Sequence, residues 1–134
     1  MTEYVSKQVR INKPDSHIFQ TLSSFSNFTP ILQDRVENWT ATENSCSFRM
    51  KGIELKLAII DKQPCKVIKI TGDKMPFEFF FWIQLVSVAE NDTRMRLTLR
   101  ANLNAMMKMM IGKKIERGVN EMAEQIAHAF NAHP

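Results

Sequence analysis

Cysteine and glycine are scarce in this chain, and that scarcity removes several kinds of chemistry at the outset. The two cysteines, Cys46 and Cys65, stand far apart and in no Cys-x-x-Cys arrangement. Neither a disulfide framework nor a zinc site is expected, and both are read as reduced thiols. Four glycines are too few and too scattered to build a phosphate-cradling loop, and no nucleophile elbow or calcium loop occurs. His17, His128 and His133 have no His-x-His or His-Glu-x-x-His spacing, so no metal or other cofactor is expected. The chain also lacks an apolar run of the roughly 18 residues that a membrane span requires. Its opening, MTEYVSKQVR, has no apolar signal core. A cytoplasmic protein without integral membrane contact is the expectation.

What is present is enough for one core. A chain of 134 residues, 44% of them hydrophobic, suits a single domain over 1–134. The net charge of +4 is spread along the chain and is not accompanied by an aromatic-plus-basic motif. No nucleic-acid partner is expected on that basis.

The last quarter is the most regular part. Met107, Ile111, Ile115, Val119, Met122, Ile126 and Phe130 recur at steps of three or four, which predicts one amphipathic helix from about Asn104 to Asn131. At 1.5 Å per residue it would be roughly 42 Å long, and its stripe needs an apolar surface of similar length. The segments upstream supply one. Thr2 to Asn12 alternates, with Val5, Val9 and Ile11 on one face, as in a half-buried strand. Pro14 at the first position of a helix, with Asn12 or Lys13 as its cap, opens a short helix carrying Ile18, Phe19 and Leu22. A second, less regular one runs from about Phe25 to Gln33 and carries Phe28, Ile31 and Leu32. From Arg35 to Ala101 alternation takes over, broken by turn-rich junctions. Short turns imply antiparallel neighbours, and a sheet with one apolar face should curl round the closing helix. The fold class is therefore α+β, with a curved seven-stranded antiparallel sheet, two short helices between strands 1 and 2, and a long C-terminal helix.

This order, together with Val9-Arg10-Ile11-Asn12-Lys13-Pro14-Asp15-Ser16-His17-Ile18-Phe19-Gln20-Thr21-Leu22, resembles the START-like superfamily, also called Bet v 1-like or SRPBCC and including polyketide cyclase-like proteins. Ile11, Pro14, Ile18 and Phe19 fill the places of its opening strand and helix, and Asn27-Phe28 resembles the aromatic that follows. Lys13 departs from the usual alanine. The resemblance implies a helix-grip fold with a cavity between sheet and helix. It implies no single function, because such folds host carriers, receptors, cyclases and chaperone co-activators.

On the sheet, Phe48, Met50, Leu55, Leu57, Phe79, Phe81, Met95 and Leu97 are expected inward. On the helix, Met107, Met110 and Ile111 should face them. Such lining suits a small hydrophobic ligand such as a lipid, an isoprenoid or an aromatic metabolite. Close packing of the same side chains is the competing outcome. Met106, Met107, Met109 and Met110 cannot all lie on the stripe; either the short helices and the loop from Gly72 to Pro76 cover them as core filling, or they form a pliable mouth to the pocket. Gly112 and Gly118 are both expected toward the buried side, making room for a ligand or for a bulky strand residue such as Trp39 or Phe81. A second reading is a cofactor-free cyclase or dehydratase, whose acid or base would come from Ser6, Gln8, Asn38, Arg49, Glu54 or Glu78. A third is an interaction module or homodimer using Phe80, Trp82, Arg96 and Arg100 on the outer sheet face.

Overall fold

The computed structural model describes residues 1–50, 52–75 and 77–132. Expectations for Pro76 and His133, and for the side chain of Ile31, lie outside the described residues. The elements follow in the order β1 (Thr2–Val5), β2 (Val9–Ile11), α1 (Asp15–Leu22), a 3-10 turn (Phe25–Phe28), α2 (Thr29–Leu32), β3 (Glu37–Ala41), β4 (Ser45–Met50), β5 (Ile53–Gln63), β6 (Val67–Gly72), β7 (Phe79–Ala89), β8 (Asp92–Ala101) and α3 (Ala105–Asn131). The strands form one antiparallel sheet of eight, ordered β1-β8-β7-β6-β5-β4-β3, with β2 also on β8.

The eighth strand comes from a break in the first. Val5 pairs with Thr98 and Val9 with Met95, so four residues on one side span three on the other. This extra residue flips the facing of the side chains. Tyr4 and Val9 point inward, whereas Val5 faces out, contrary to the simple alternation. Ser6 seals the irregularity: its amide donates to the Leu97 carbonyl at 2.8 Å, and its hydroxyl oxygen accepts from the Leu97 amide at 2.9 Å.

Pro14 occupies the N-cap of α1 rather than its first turn, with extended backbone at φ −65° and ψ 148°. Asn104 caps α3, its side-chain oxygen accepting from the Met107 amide at 2.8 Å, so the long helix begins where its sequence pattern begins. Its covered face is rotated from the expected stripe. Gly112, Val119, Ala123 and Ala127 are buried, while Met122 is 45% exposed. Small residues take the centre because α3 lies close against β1, β2 and β8. Gly112 is one of them: a Cβ there would sit 3.1 Å from the Tyr4 hydroxyl. Gly118 is exposed, with open space around it, so it is not on the buried side and neither Trp39 nor Phe81 sits against it.

Polar side chains fasten α3 to the broken edge strand. The Lys7 amide donates to Asn120 Oδ1 at 2.7 Å. Asn131 accepts from the Asn12 amide at 2.7 Å and donates to the Arg10 carbonyl at 3.0 Å. Lys7 and Glu124 form an ion pair beside them.

Candidate functional site

The concave face of the sheet is unevenly covered along its length. Ile68, Ile83, Leu85, Met95 and Leu97 are buried together with Ile11, Ile18, Leu22, Val119, Ala123 and Ala127. They form the closed half of the core, beneath α1 and the second half of α3. Toward the other end, Phe48, Leu55, Leu57, Phe79, Phe81 and Leu99 on the sheet, and Met107 and Ile111 on the helix, are only half-buried. Strand register explains why they share an end. Phe48 pairs with Leu55, Cys46 with Leu57, Phe81 with Ile70 and Leu99, and Phe79 with Ala101. The sheet residues share the concave face of β4–β8 at the end where α3 begins, and this apolar region, partly open to solvent, is termed the trough.

Of the residues expected to line a ligand site, Phe48, Leu57 and Phe81 pack against the edge of the core as partly buried side chains, and Leu55, Phe79, Met107 and Ile111 are half-buried. Met95 and Leu97 lie deeper and are fully covered, at 0% exposure. Met50 and Met110 are exposed at the rim. One contributor escaped the sequence reading, and another was expected against a different partner. Gly72 pairs with Leu57, and a Cβ on it would meet the Phe79 ring at 2.6 Å and Met75 Cγ at 2.6 Å. It is therefore the floor on which Phe79 rests. Trp39, whose ring lies 5.8 Å from that of Phe48, is held by an Nε1 hydrogen bond to Thr29 Oγ1 at 2.8 Å. A bulge within β3, with Asn38 at φ 57°, accompanies that placement. A strand that ends in glycine and is followed by an aromatic is a weak signal, and the Trp39–Thr29 pair is visible only in three dimensions.

Among the described residues, the acid and base candidates do not gather on the inner face. Gln8, Asn38, Arg49, Glu54 and Glu78 are exposed. Ser6 is buried, with its hydroxyl spent on the Lys7 carbonyl at 2.8 Å and the Leu97 amide. The titratable group on the inner face of β4 is Cys46, whose thiol is pushed up to about 11 by burial, a backbone hydrogen bond at Leu57 opposing only part of the shift. A neutral thiol at that pKa is a small apolar side chain rather than a nucleophile. Among the described residues no group of three or more His, Cys, Asp or Glu side chains is arranged to hold a metal ion. Nor is any helix long and apolar enough to cross a membrane.

The outer face is built differently. Phe80 and Trp82 do point outward, their ring centroids 6.0 Å apart. The cation over them is Lys69 of β6, with Nζ 4.8 Å from the Phe80 centroid and 5.4 Å from that of Trp82. Arg100 instead faces Glu3 at 4.0 Å, and Arg96 lines a shallow groove of about 390 Å³ with Gln8, Gln84, Arg94 and Thr98. The patch thus has an internal partner from a strand that had not been associated with it.

No protein-family model and no curated protein sequence matches the chain. Solved structures do match its shape. Norcoclaurine synthase from Thalictrum flavum in complex with dopamine and hydroxybenzaldehyde is similar at TM-score 0.77 and 12% identity, over 99% of this chain and 89% of that one. The Aha1 dimer from Colwellia psychrerythraea is similar at TM-score 0.69 and 16% identity, over 98% and 97%. XoxI from Bacillus cereus is similar at TM-score 0.69 and 11% identity, over 97% and 96%. At these identities the likeness establishes the fold: a Bet v 1-like helix grip.

Proposed function

We propose that the chain binds a small apolar molecule in the trough between the concave sheet and the first half of α3. The observation that carries this reading is the uneven covering of the inner face. One half is closed by Ile18, Val119, Ala123 and Ala127, while Phe48, Leu55, Leu57, Phe81, Met107 and Ile111 remain partly accessible. Apolar surface left in water is costly, at about 25 cal/mol per Å², and a ligand that covers it recovers that free energy. Aromatic side chains around the opening favour flat or aromatic-bearing molecules. The norcoclaurine synthase structure, with its aromatic dopamine and hydroxybenzaldehyde, supports the size class without identifying the ligand.

Binding is favoured over cofactor-free catalysis by the side chains themselves. The acid and base candidates Arg49, Glu54 and Glu78 are exposed on strand and loop positions instead of meeting at the trough floor, where general acid–base work would require them within hydrogen-bond reach of the substrate. The test is titration of the purified protein with a fluorescent hydrophobic probe in vesicle-free buffer. Saturable uptake that weakens in Leu57→Ala and Phe81→Ala, and is unchanged in Trp82→Ser, supports the reading. No uptake, or equal uptake by all the variants, contradicts it.

A further inference from the structure

We propose that the end of the molecule at which the trough opens is a docking surface for an anionic lipid bilayer, a reading that extends the binding function to the source of its ligand. Three segments emerge at this end. Gly72 pairs with Leu57, so the β4–β5 hairpin, with Met50 opposite Ile53, projects past it. Phe79 pairs with Ala101, which brings the loop after β6 and the first turn of α3 to the same edge.

These segments carry apolar side chains with no protein to cover them. Ile53 is 58% exposed, Met106 69%, Met109 88% and Met110 67%. Met106, Met109 and Met110 are spaced to lie along one side of the helix. Basic residues surround them. Lys108, Lys113, Lys114 and Arg117 are all exposed, and none forms an ion pair with a described residue. Glu116 is the only acid in that half of α3, whereas the second half carries Glu121 and Glu124 and no lysine or arginine. Lys74 is exposed in the loop after β6; the acids of the same end include Glu54, Asp73 and Glu78, with Glu37 opposite Arg49 and Glu3 opposite Arg100.

Charge complementarity selects the occupant. Unbranched thioethers on a protruding helix turn and a hairpin tip suit the boundary between headgroups and acyl chains, while lysines on the next turns extend toward lipid phosphates. The two apolar segments are discontinuous, as befits insertion at points into a fluid surface. Clustered lysines near an anionic leaflet draw the protein in and lose their hold as salt rises.

Co-flotation tests the proposal with the intact chain. Vesicles of phosphatidylcholine containing phosphatidylserine should carry the protein, vesicles of phosphatidylcholine alone should not, and high salt should release it. The double variant Lys113→Glu, Lys114→Glu should lose about ten-fold or more in vesicle affinity. The variant Met106→Ser, Met109→Ser should lose several-fold, with its melting temperature little changed because these side chains are largely exposed. Equal binding to both vesicle types, absence of binding, or full binding by either variant would overturn the proposal, as would retention on poly-glutamate with no vesicle binding. Probe uptake by the same variants in vesicle-free buffer separates the outcomes. Lost docking with intact uptake means that the surface has been altered and the trough has not, whereas wild-type docking without uptake leaves the surface standing and removes the ligand.

Discussion

The Tyr4 hydroxyl lies 3.1 Å from the point at which a Cβ on Gly112 would stand. Tyr4 belongs to the edge strand and Gly112 to the closing helix, and their close approach sets how near α3 comes to the sheet. A bulkier residue there would lift the helix from the edge and widen the trough. Gly112→Leu is therefore expected to destabilise the fold by about 1–3 kcal/mol through overpacking. Gly118→Ala, in open solvent, should stabilise it by up to about 1 kcal/mol through helix propensity. Denaturant unfolding of the two variants checks the contrast. A similar sign for both would show that the Tyr4 contact does not set the spacing.

Asn120 and Asn131 hold the same helix to the interruption between β1 and β2 through the Lys7, Asn12 and Arg10 backbone. At about 1 kcal/mol for each such bond, Asn120→Ala should cost about 1 kcal/mol and Asn131→Ala, which loses two, about 1–2 kcal/mol. Because both act on one helix–edge contact, hydrogen exchange of the Lys7 and Asn12 amides should accelerate in the corresponding variant well before global unfolding does. Unchanged exchange at both amides would count against the fastening role.

The pKa of Cys46 gives a signed dependence on pH. Its folded value is raised from 9.0 to about 11, so the unfolded chain loses the proton first. The contribution to stability is complete below about pH 9 and disappears as the pH rises toward 11. The wild-type melting temperature should therefore fall more steeply than that of Cys46→Ala across this window. At neutral pH a thiol reagent should modify the half-buried Cys65 quickly and Cys46 only on unfolding. Rapid labelling of two thiols in the folded protein would contradict the buried assignment.

Gly72 predicts a local effect. A methyl group there would meet the Phe79 ring at 2.6 Å, so Gly72→Ala must displace Phe79, and weaker probe uptake is expected with little change in secondary structure. Circular dichroism and the probe titration, read together, check it. Unaltered uptake would show that the Phe79 position is immaterial to the trough.

Much of this architecture was legible from periodicity, because alternation and the three-to-four step are direct consequences of burying one face. The helix from about Asn104 to Asn131 stands where its pattern placed it, and Phe80 and Trp82 face outward opposite Phe81 and Ile83. Pairing decided what periodicity could not. Val5 looked inward by alternation, but one extra residue around Ser6 turned it to solvent. Met122 belonged to the stripe by hydropathy, but close approach at Gly112, Ala123 and Ala127 rotated the helix onto its small residues. The support of Phe79 by Gly72, and the stacking of Lys69 on Phe80 and Trp82, join residues on different strands or across a loop and so left no local trace. Within the candidate site, the residue types were readable. Which of them stayed partly open depended on where α3 came to rest.

Methyl-resolved NMR during titration with an apolar aromatic ligand bears most directly on the central claim. Occupation of the trough predicts saturable shifts for the methyl groups of Leu55, Leu57, Met107 and Ile111, with Val86 on the outer groove and Met109 at the exposed rim left in place. Shifts confined to Val86 or Met109, or no saturable shift anywhere, would contradict a ligand held between the sheet and the helix.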